Sequence, residues 1–307
     1  MYLSELSELI AKLKVIKNKV NELRREIRKL EEKYQQSVRE SERLRKLERI
    51  TGKKLPKPEE TVSELLRQRR EDLREAEMEK RQVYEKVGRG LAELTINLDL
   101  SLPTPEVQEG KAIFRLNENN AGPALDFIKE LIGCEGDVLE INGVKILPSE
   151  IIVEGIKSED EAIDKLSNVT ETIQSFGKAI IGKCPEDINR IVDSLKSRKP
   201  FYVKVWEILA SKRKITYKEI YEIMGIKEKE EERKKVRAFL SELRKRGLIV
   251  CDDNKQCLSV RGMLVKLCYE RIKLVSLRPQ GLISEVRSIK RKMHKGTLNM
   301  YFKENYA

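Results

Sequence analysis

Two carboxylates and a lysine, Asp137, Glu140 and Lys145, are the first place to look for chemistry. A carboxylate pair can hold a divalent metal, and a lysine can offset charge developing on a phosphate. The order is wrong for that use, since the usual arrangement is D…E-x-K and here Glu140 is followed by Ile141-Asn142. Charges on the surface of a hairpin are the expected reading. The five cysteines (Cys134, Cys184, Cys251, Cys257, Cys268) include no CxxC pair and share the chain with one histidine, His294, so no structural zinc site is expected. Cys251 and Cys257 lie on two short β-prone runs, where a cross-strand bridge is an open expectation, though unusual in the cytosol outside hyperthermophiles. No Walker A, GxGxxG, HExxH or GxSxG pattern occurs. We therefore expect no catalytic residues, no metal, no cofactor and no enzyme.

The second candidate chemistry is charge recognition. In the third segment of the stretch from Pro200 to Arg261, Val236, Phe239, Leu240 and Leu243 recur at helical spacing, and the opposite face carries Lys234, Arg237, Ala238, Ser241 and Lys245, with Arg244 beside it. Cations there could meet phosphates, and the small Ala238 and Ser241 would let the backbone approach a groove floor. Acidic residues oppose this at both ends, with Glu228 and Glu230–Glu232 before the helix and Asp252 and Asp253 after it.

The elements around that helix follow from local rules. Val205, Trp206 and Leu209 mark a preceding helix, and Thr216 with Glu219 three residues on is a capping box that starts a second. Gly225 ends it. After Gly247 come the runs Leu248–Cys251 and Cys257–Val260 around a polar tip. Helix, capped helix, turn, basic helix and β-hairpin across Pro200–Arg261 resemble the winged helix-turn-helix family. The resemblance implies double-stranded DNA as partner, with Lys234, Arg237, Ser241, Arg244 and Lys245 as DNA-binding residues. A trailing helix extends the module to residue 276.

Net charge supports placing nucleic acid at this end. The chain of 307 residues carries +12, distributed as +6 over residues 1–95, −10 over 96–195 and +16 over 196–307. The middle third would repel a polyanion and the last third attract one. High Lys, Arg and Glu content also suits a thermophile. No run approaches the roughly 18 apolar residues that span a bilayer, and the chain opens on an amphipathic helix, so no membrane partner and a cytoplasmic, nucleoid-associated location are expected.

At the amino end, Leu6, Leu9, Leu13, Ile16, Val20, Leu23, Ile27, Leu30 and Tyr34 alternate in steps of three and four. Ser37 and Ser41 hold the phase and Leu44 restores it. This is a coiled-coil seam over residues 3–50. Gly52, Pro56 and Pro58 break it, and a looser stripe over 59–94 (Val62, Leu65, Leu66, Leu73, Ala76, Val83, Val87, Leu91) invites a helical hairpin. The first helix is the longer, so a homodimer or a helical partner through residues 1–50 is expected to cover the surplus. Gly88, Gly90 and Gly177 read as helix-end or turn glycines.

Residues 95–180 form a small acidic α+β domain. Leu94, Ile96, Leu98, Leu100 and Leu102 alternate as a strand, Ala112–Leu116 reads as another, and Pro123 opens a helix that Gly133 stops. Asn142-Gly143 is a strong hairpin turn between Asp137–Ile141 and Val144–Leu147, Ile151–Ile156 adds a strand, and Ser158 caps a helix to about Phe176. Residues 181–199 are a helical connector. The whole is mainly α with a small α+β domain: a coiled coil or hairpin over 1–94, the α+β domain, the connector, the winged-helix-like module over 200–276 and a basic tail over 277–307.

In that tail, after Arg287, Lys290, Arg291 and Lys292, the run Lys295-Gly296-Thr297-Leu298-Asn299-Met300-Tyr301-Phe302 resembles the clamp-binding peptides (PIP box) of replication and repair proteins. Lys295 stands where that family has Gln. The resemblance implies a sliding clamp as partner, with Leu298, Tyr301 and Phe302 filling an apolar pocket. Three large apolar groups at i, i+3 and i+4 on a basic tail suit that role on physical grounds too. The expected function is a non-enzymatic DNA-binding adaptor of replication or repair. A winged-helix transcription regulator and a structural subunit of a chromosome or transcription assembly are the alternatives.

Overall fold

In the computed structural model, which describes residues 1–52, 58–96, 98, 109–117, 120–212 and 214–276, the heptad seam folds as a single helix, α1 (Leu3–Thr51). Its 49 residues extend about 74 Å at 1.5 Å per residue. Gly52, at φ 66°, closes it in the left-handed region that a Cβ-bearing residue resists. The chain returns along α1 as α2 (Pro58–Ala92). The direction is antiparallel, because ion pairs join Lys12 to Glu79 (3.4 Å), Arg24 to Glu77 (2.7 Å), Arg70 to Glu31 (2.9 Å) and Arg45 to Glu59 (3.2 Å). Exposed pairs of this kind contribute only about 0–1 kcal/mol each. The stabilisation comes from the seam, where each buried Leu or Ile contributes roughly 1.5–3 kcal/mol.

That seam runs Leu3, Leu6, Ile10, Leu13, Ile16, Val20, Leu23 and Ile27, all buried. Ile10 takes the place expected for Leu9, which is only half-buried. On α2, Leu66, Ala76, Val83, Val87 and Leu91 face it, whereas Leu65 is exposed. Part of the surplus length of α1 is covered within the chain. Near its start, Ser7 Oγ accepts the N–H of Ala124 (3.2 Å) and the carbonyl of Met1 accepts the N–H of Thr95 (3.0 Å), so the chain's own later segments cover it. The surplus on which the expectation of dimerisation through residues 1–50 rests is thus met in part by residues of the same chain.

Beyond the helical pair stands a four-stranded antiparallel sheet of β1 (Lys111–Arg115), β2 (Leu139–Ile141), β3 (Val144–Ile146) and β4 (Glu150–Glu154), in the order β1-β4-β3-β2. Asn142 and Gly143 both take positive φ (52° and 77°), as a two-residue hairpin turn requires. Ala112, Phe114, Leu139, Ile141, Val144, Ile146, Ile151 and Val153 are buried, and Ile113 on the other face is exposed. Helices α3 (Gly122–Ile132) and α4 (Glu159–Ile180) pack on the sheet. Gly133 (φ 80°) stops α3, and Ser158 Oγ caps α4 by accepting from Glu161 N–H (3.3 Å). Of the alternating strand expected from Glu93 to Leu102, the described part shows one bridge, Leu98 to Leu116, and the rest lies outside the described residues.

The sequence separates residues 1–94 from 95–180, yet Met1–Ile181 forms one compact unit. The reason is close helix contact. Gly88 and Gly177 are not helix ends: a Cβ on Gly88 would lie 2.4 Å from Ile180 Cγ2, and one on Gly177 would lie 2.3 Å from the backbone nitrogen of Ala92. Only glycine lets α2 and α4 approach so far.

The second unit begins at Gly182. Its elements are α5 (Glu186–Lys196), α6 (Pro200–Ser211), β5 (Lys214–Thr216), α7 (Tyr217–Met224), α8 (Glu230–Lys245), β6 (Ile249–Asp252), β7 (Lys255–Leu258) and α9 (Val260–Ser276). The strands form an antiparallel sheet in the order β5-β7-β6. Trp206, fully buried, is at the core with Val205, Leu209, Ile220, Phe239, Leu240 and Val265. The chain is thus mainly helical with small antiparallel sheets, and among the described residues no helix is long and apolar enough to cross a membrane.

Cys251 and Cys257, whose bridging the sequence leaves open, are both free thiols. In the β6–β7 register Val250 faces Cys257 and Cys251 faces Gln256, so Cys251 and Cys257 project from opposite faces of the ribbon. Instead Cys184 bonds Cys268, 84 positions later, and ties the segment before α5 to α9. This makes the expected connector part of the second unit. Closing a loop of that length is worth about 4.5 kcal/mol in the chain-entropy account. Urea unfolding of the Cys184→Ser/Cys268→Ser chain is expected to show a loss of that order in the second unit; a curve matching the parent would set the bond aside as a stabilising element.

Candidate nucleic-acid interface

Helix α7 starts where the capping box predicts. Thr216 Oγ1 accepts the N–H of Glu219 (3.2 Å), and Glu219 Oε2 accepts the N–H of Thr216 (2.7 Å). Strand β5, immediately before it, was not legible as a strand: it is three residues long, with Ile215 buried against the hairpin. Gly225, at φ 69°, ends α7, and Ile226 turns into the core before α8 begins. Val236, Phe239, Leu240 and Leu243 are all buried, so α8 is oriented as its apolar spacing requires. The ring of Phe239 meets that of Tyr202 at 5.2 Å between centroids.

Lys234, Arg237, Ala238, Ser241 and Lys245 therefore share one exposed face. Glu231 pairs with Lys234 (3.4 Å), and Glu230 makes a short ion pair with Arg237. The glutamates that crowd the helix start thus neutralise the first two cations of this exposed face. They also sit favourably at the positive end of the helix dipole. Ser241 and Lys245, farther along, make no ion pair among the described residues.

Arg244, expected as a phosphate contact, is exposed and has part of its guanidinium bonded within the fold. Its guanidinium donates to Oε1 of Gln256 from Nε (3.3 Å) and Nη2 (2.8 Å), and Nη2 also donates to the hydroxyl of Tyr217 (2.6 Å). Gln256 is 1% exposed. Arg244 thus joins α8 to β7 and to the first residue of α7, and helps position the cationic face beside which it lies. Sequence reasoning missed Gln256. Its signal was period two along β7, which places it on the same face as Leu258.

The hairpin tip is a two-residue turn, Asp253-Asn254, both at positive φ (46° and 62°), and is shorter than the five-residue tip expected. Asp252 pairs with Lys214 (2.9 Å), which offsets part of the acidity noted there. Behind α8, Arg198 bonds Glu242, which also pairs with Arg246 (2.8 Å), and the Arg198 guanidinium lies 5.3 Å from the Phe239 ring centre. The guanidinium of Arg233 sits 5.3 Å from the ring centre of Tyr221 and bonds the Lys227 carbonyl (3.1 Å), bracing the turn between α7 and α8.

The carboxylate–lysine set in the first unit does not converge. Lys145 bonds Glu154 (3.0 Å) and stands opposite Glu140 in the strand register, while the Asp137 carbonyl accepts from Lys129 (2.9 Å). Hydrogen bonds from Lys145 and Lys111 hold the Glu154 carboxyl below its ordinary pKa. Among the described residues no group of three or more His, Cys, Asp or Glu is placed to hold a metal ion. The clamp-peptide residues Lys295, Leu298, Tyr301 and Phe302 lie outside the described residues. Compared with known proteins, the chain matches no family model, no curated protein and no solved structure.

The cap gives a pH-linked test. The Glu219 carboxyl is held below its ordinary pKa, chiefly by the Thr216 N–H and then by the Thr216 hydroxyl. A carboxylate depressed in the fold stabilises it above the unfolded pKa, and that contribution is lost as pH falls through the folded value. Thr216→Ala is expected to cost about 1 kcal/mol near neutral pH and to reduce the further loss on acidification. Urea unfolding at neutral and acid pH measures both, and parent-like stability at neutral pH would show that the cap does not hold α7.

Proposed function

We propose that this chain is a non-enzymatic DNA-binding adaptor of DNA replication or repair. Its second unit acts as a winged helix-turn-helix, with α8 entering the major groove of double-stranded DNA. The observation that carries this reading is the exposed row Lys234, Arg237, Ala238, Ser241 and Lys245 on a helix whose opposite face is wholly buried. The capped α7, the left-handed turn at Gly225 and the β5-β7-β6 sheet supply the frame that such docking needs. On approach, phosphates would replace Glu230 and Glu231 as partners of Arg237 and Lys234, while Ser241 and Lys245 meet the backbone directly. Arg244 is left out of the contact set. The long helices serve as an arm.

The sliding clamp enters as the second partner through Lys295, Leu298, Tyr301 and Phe302, on the strength of residue type and spacing. The regulator alternative drew on a dimer to match a palindromic site; the seam it used is covered by α2.

Binding of a random-sequence duplex, followed by anisotropy across a salt series, tests the contact. The Lys234→Ala/Arg237→Ala/Lys245→Ala chain is expected to bind more weakly, with a salt slope shallower by about 0.9 for each phosphate left without its cation. Unchanged affinity and slope would overturn the α8 contact. In a parallel pull-down, a chain ended at Lys292 is expected to lose the clamp and keep the duplex; retention of the clamp would remove the tail from the proposal.

A further inference from the structure

The ion pairs of the helical hairpin leave one face of α1 unmatched. Three cations that flank the seam, Lys12, Arg24 and Arg45, each meet a carboxylate of α2, whereas Lys17, Lys19 and Lys33 make no ion pair among the described residues. On α2 itself Arg67, Arg69, Arg70 and Arg81 are paired as well. On the side of α1 turned away from Leu23, Ile27, Ser37 and Ser41, helical geometry places Arg25, Arg28, Lys29, Arg39, Arg43 and Lys46 in one stripe. All six are exposed, and among the described residues none makes an ion pair. Glu32 and Glu40 share the stripe, which leaves it with a net charge of +4.

We infer that this stripe is a second nucleic-acid surface, and that it holds the phosphate backbone of a duplex. From Arg25 to Lys46 it extends about 32 Å along a straight helix, close to one turn of duplex DNA at about 34 Å. Between those ends no outward position is apolar, the remaining one being Gln36. A protein partner would need apolar anchors at the centre of the contact. A single strand would need aromatic rings on which its bases stack, and the stripe has none. Unpaired cations in a line, four of the six arginine, match what remains: a rigid row of phosphates bound without regard to sequence.

The surface lies on the first unit and stands independently of α8. The test uses the full chain with Arg25→Gln/Arg28→Gln/Arg39→Gln/Arg43→Gln, all at exposed positions where substitution changes stability by about 0.5 kcal/mol or less. A control carries Arg67→Gln/Arg69→Gln/Arg70→Gln/Arg81→Gln, an equal loss of charge on α2. With a random-sequence duplex longer than one helical turn, the stripe variant is expected to bind more weakly. Its salt slope should be shallower by about 0.9 for each phosphate no longer neutralised, and the control should stay near the parent. The double variant Arg39→Gln/Arg43→Gln should show a smaller shift of the same sign, which guards against misfolding of the fourfold one. A parent-like slope, or an equal loss in the control, overturns the inference. So does unchanged duplex binding with weakened retention on polyglutamate, which would assign the stripe to an acidic protein. If the stripe variant weakens binding and the α8 variant does not, the stripe stands and the α8 contact falls.

Discussion

The buried carboxamide of Gln256 is the constraint on which the exposed face of α8 depends. A side-chain amide taken out of water must find partners or cost on the order of 1–3 kcal/mol. Here its oxygen receives two N–H groups from Arg244, a charge-assisted arrangement stronger than a neutral pair. Arg244 is therefore held to the sheet, and with it the rotation of α8 about its axis. Tyr217 takes a third bond from the same guanidinium, so the start of α7 is fixed by the same side chain. Turning α8 enough to bury Lys245 would break all three bonds at once. The apolar residues decide that this face of α8 looks inward, and the Arg244–Gln256 bond narrows how far it can roll.

The first unit shows the same division of labour between apolar packing and polar register. Heptad positions on α1 and the glycines at 88 and 177 determine which helices touch, because close approach is available only where a Cβ is missing. The charges then sort themselves. Arg24, Arg45 and Glu31 at the flanks of the α1–α2 seam find partners on α2, and the six cations at the back of α1 make no ion pair among the described residues. Charge on a helical arm is ordinarily mixed in sign and mutually satisfied, which favours solubility without attracting a particular ligand. A row of unpaired cations along the back of such an arm adds a field directed away from the hairpin partner.

Much of this was legible in the residues. The capping box at Thr216, the Asn142-Gly143 turn, the helix ends at Gly133 and Gly225 and the inward set of α8 are local signals, each decided within a few residues. What could not be read depends on tertiary pairing. Gly177 looks like a terminator until α2 is known to lie against it. Five cysteines admit many pairings, and the ribbon register that separates Cys251 from Cys257 is invisible before the strands are aligned. Strand β5 is too short for periodicity to register, and Arg244 has the composition of a phosphate ligand until Gln256 is found beside it. The surplus length of α1 implied a second chain only while α3 and the residues after α2 were thought to form a domain apart.

These misreadings share a cause, and it bears on the interface itself. A cation read from sequence is counted as available, whereas in the fold its availability is what remains after neighbouring carboxylates and amides have claimed it. On α8 that leaves Ser241 and Lys245 unengaged, Lys234 and Arg237 held by exchangeable surface pairs, and Arg244 bonded to Gln256 and Tyr217. Surface pairs of that kind are weak, so an incoming phosphate displaces a glutamate at little cost, while the bond to a buried amide resists exchange because breaking it strands Gln256. The difference between a contact residue and a positioning residue on the same helix face is thus set by the burial of its partner. Counting positive charge along the helix cannot supply it.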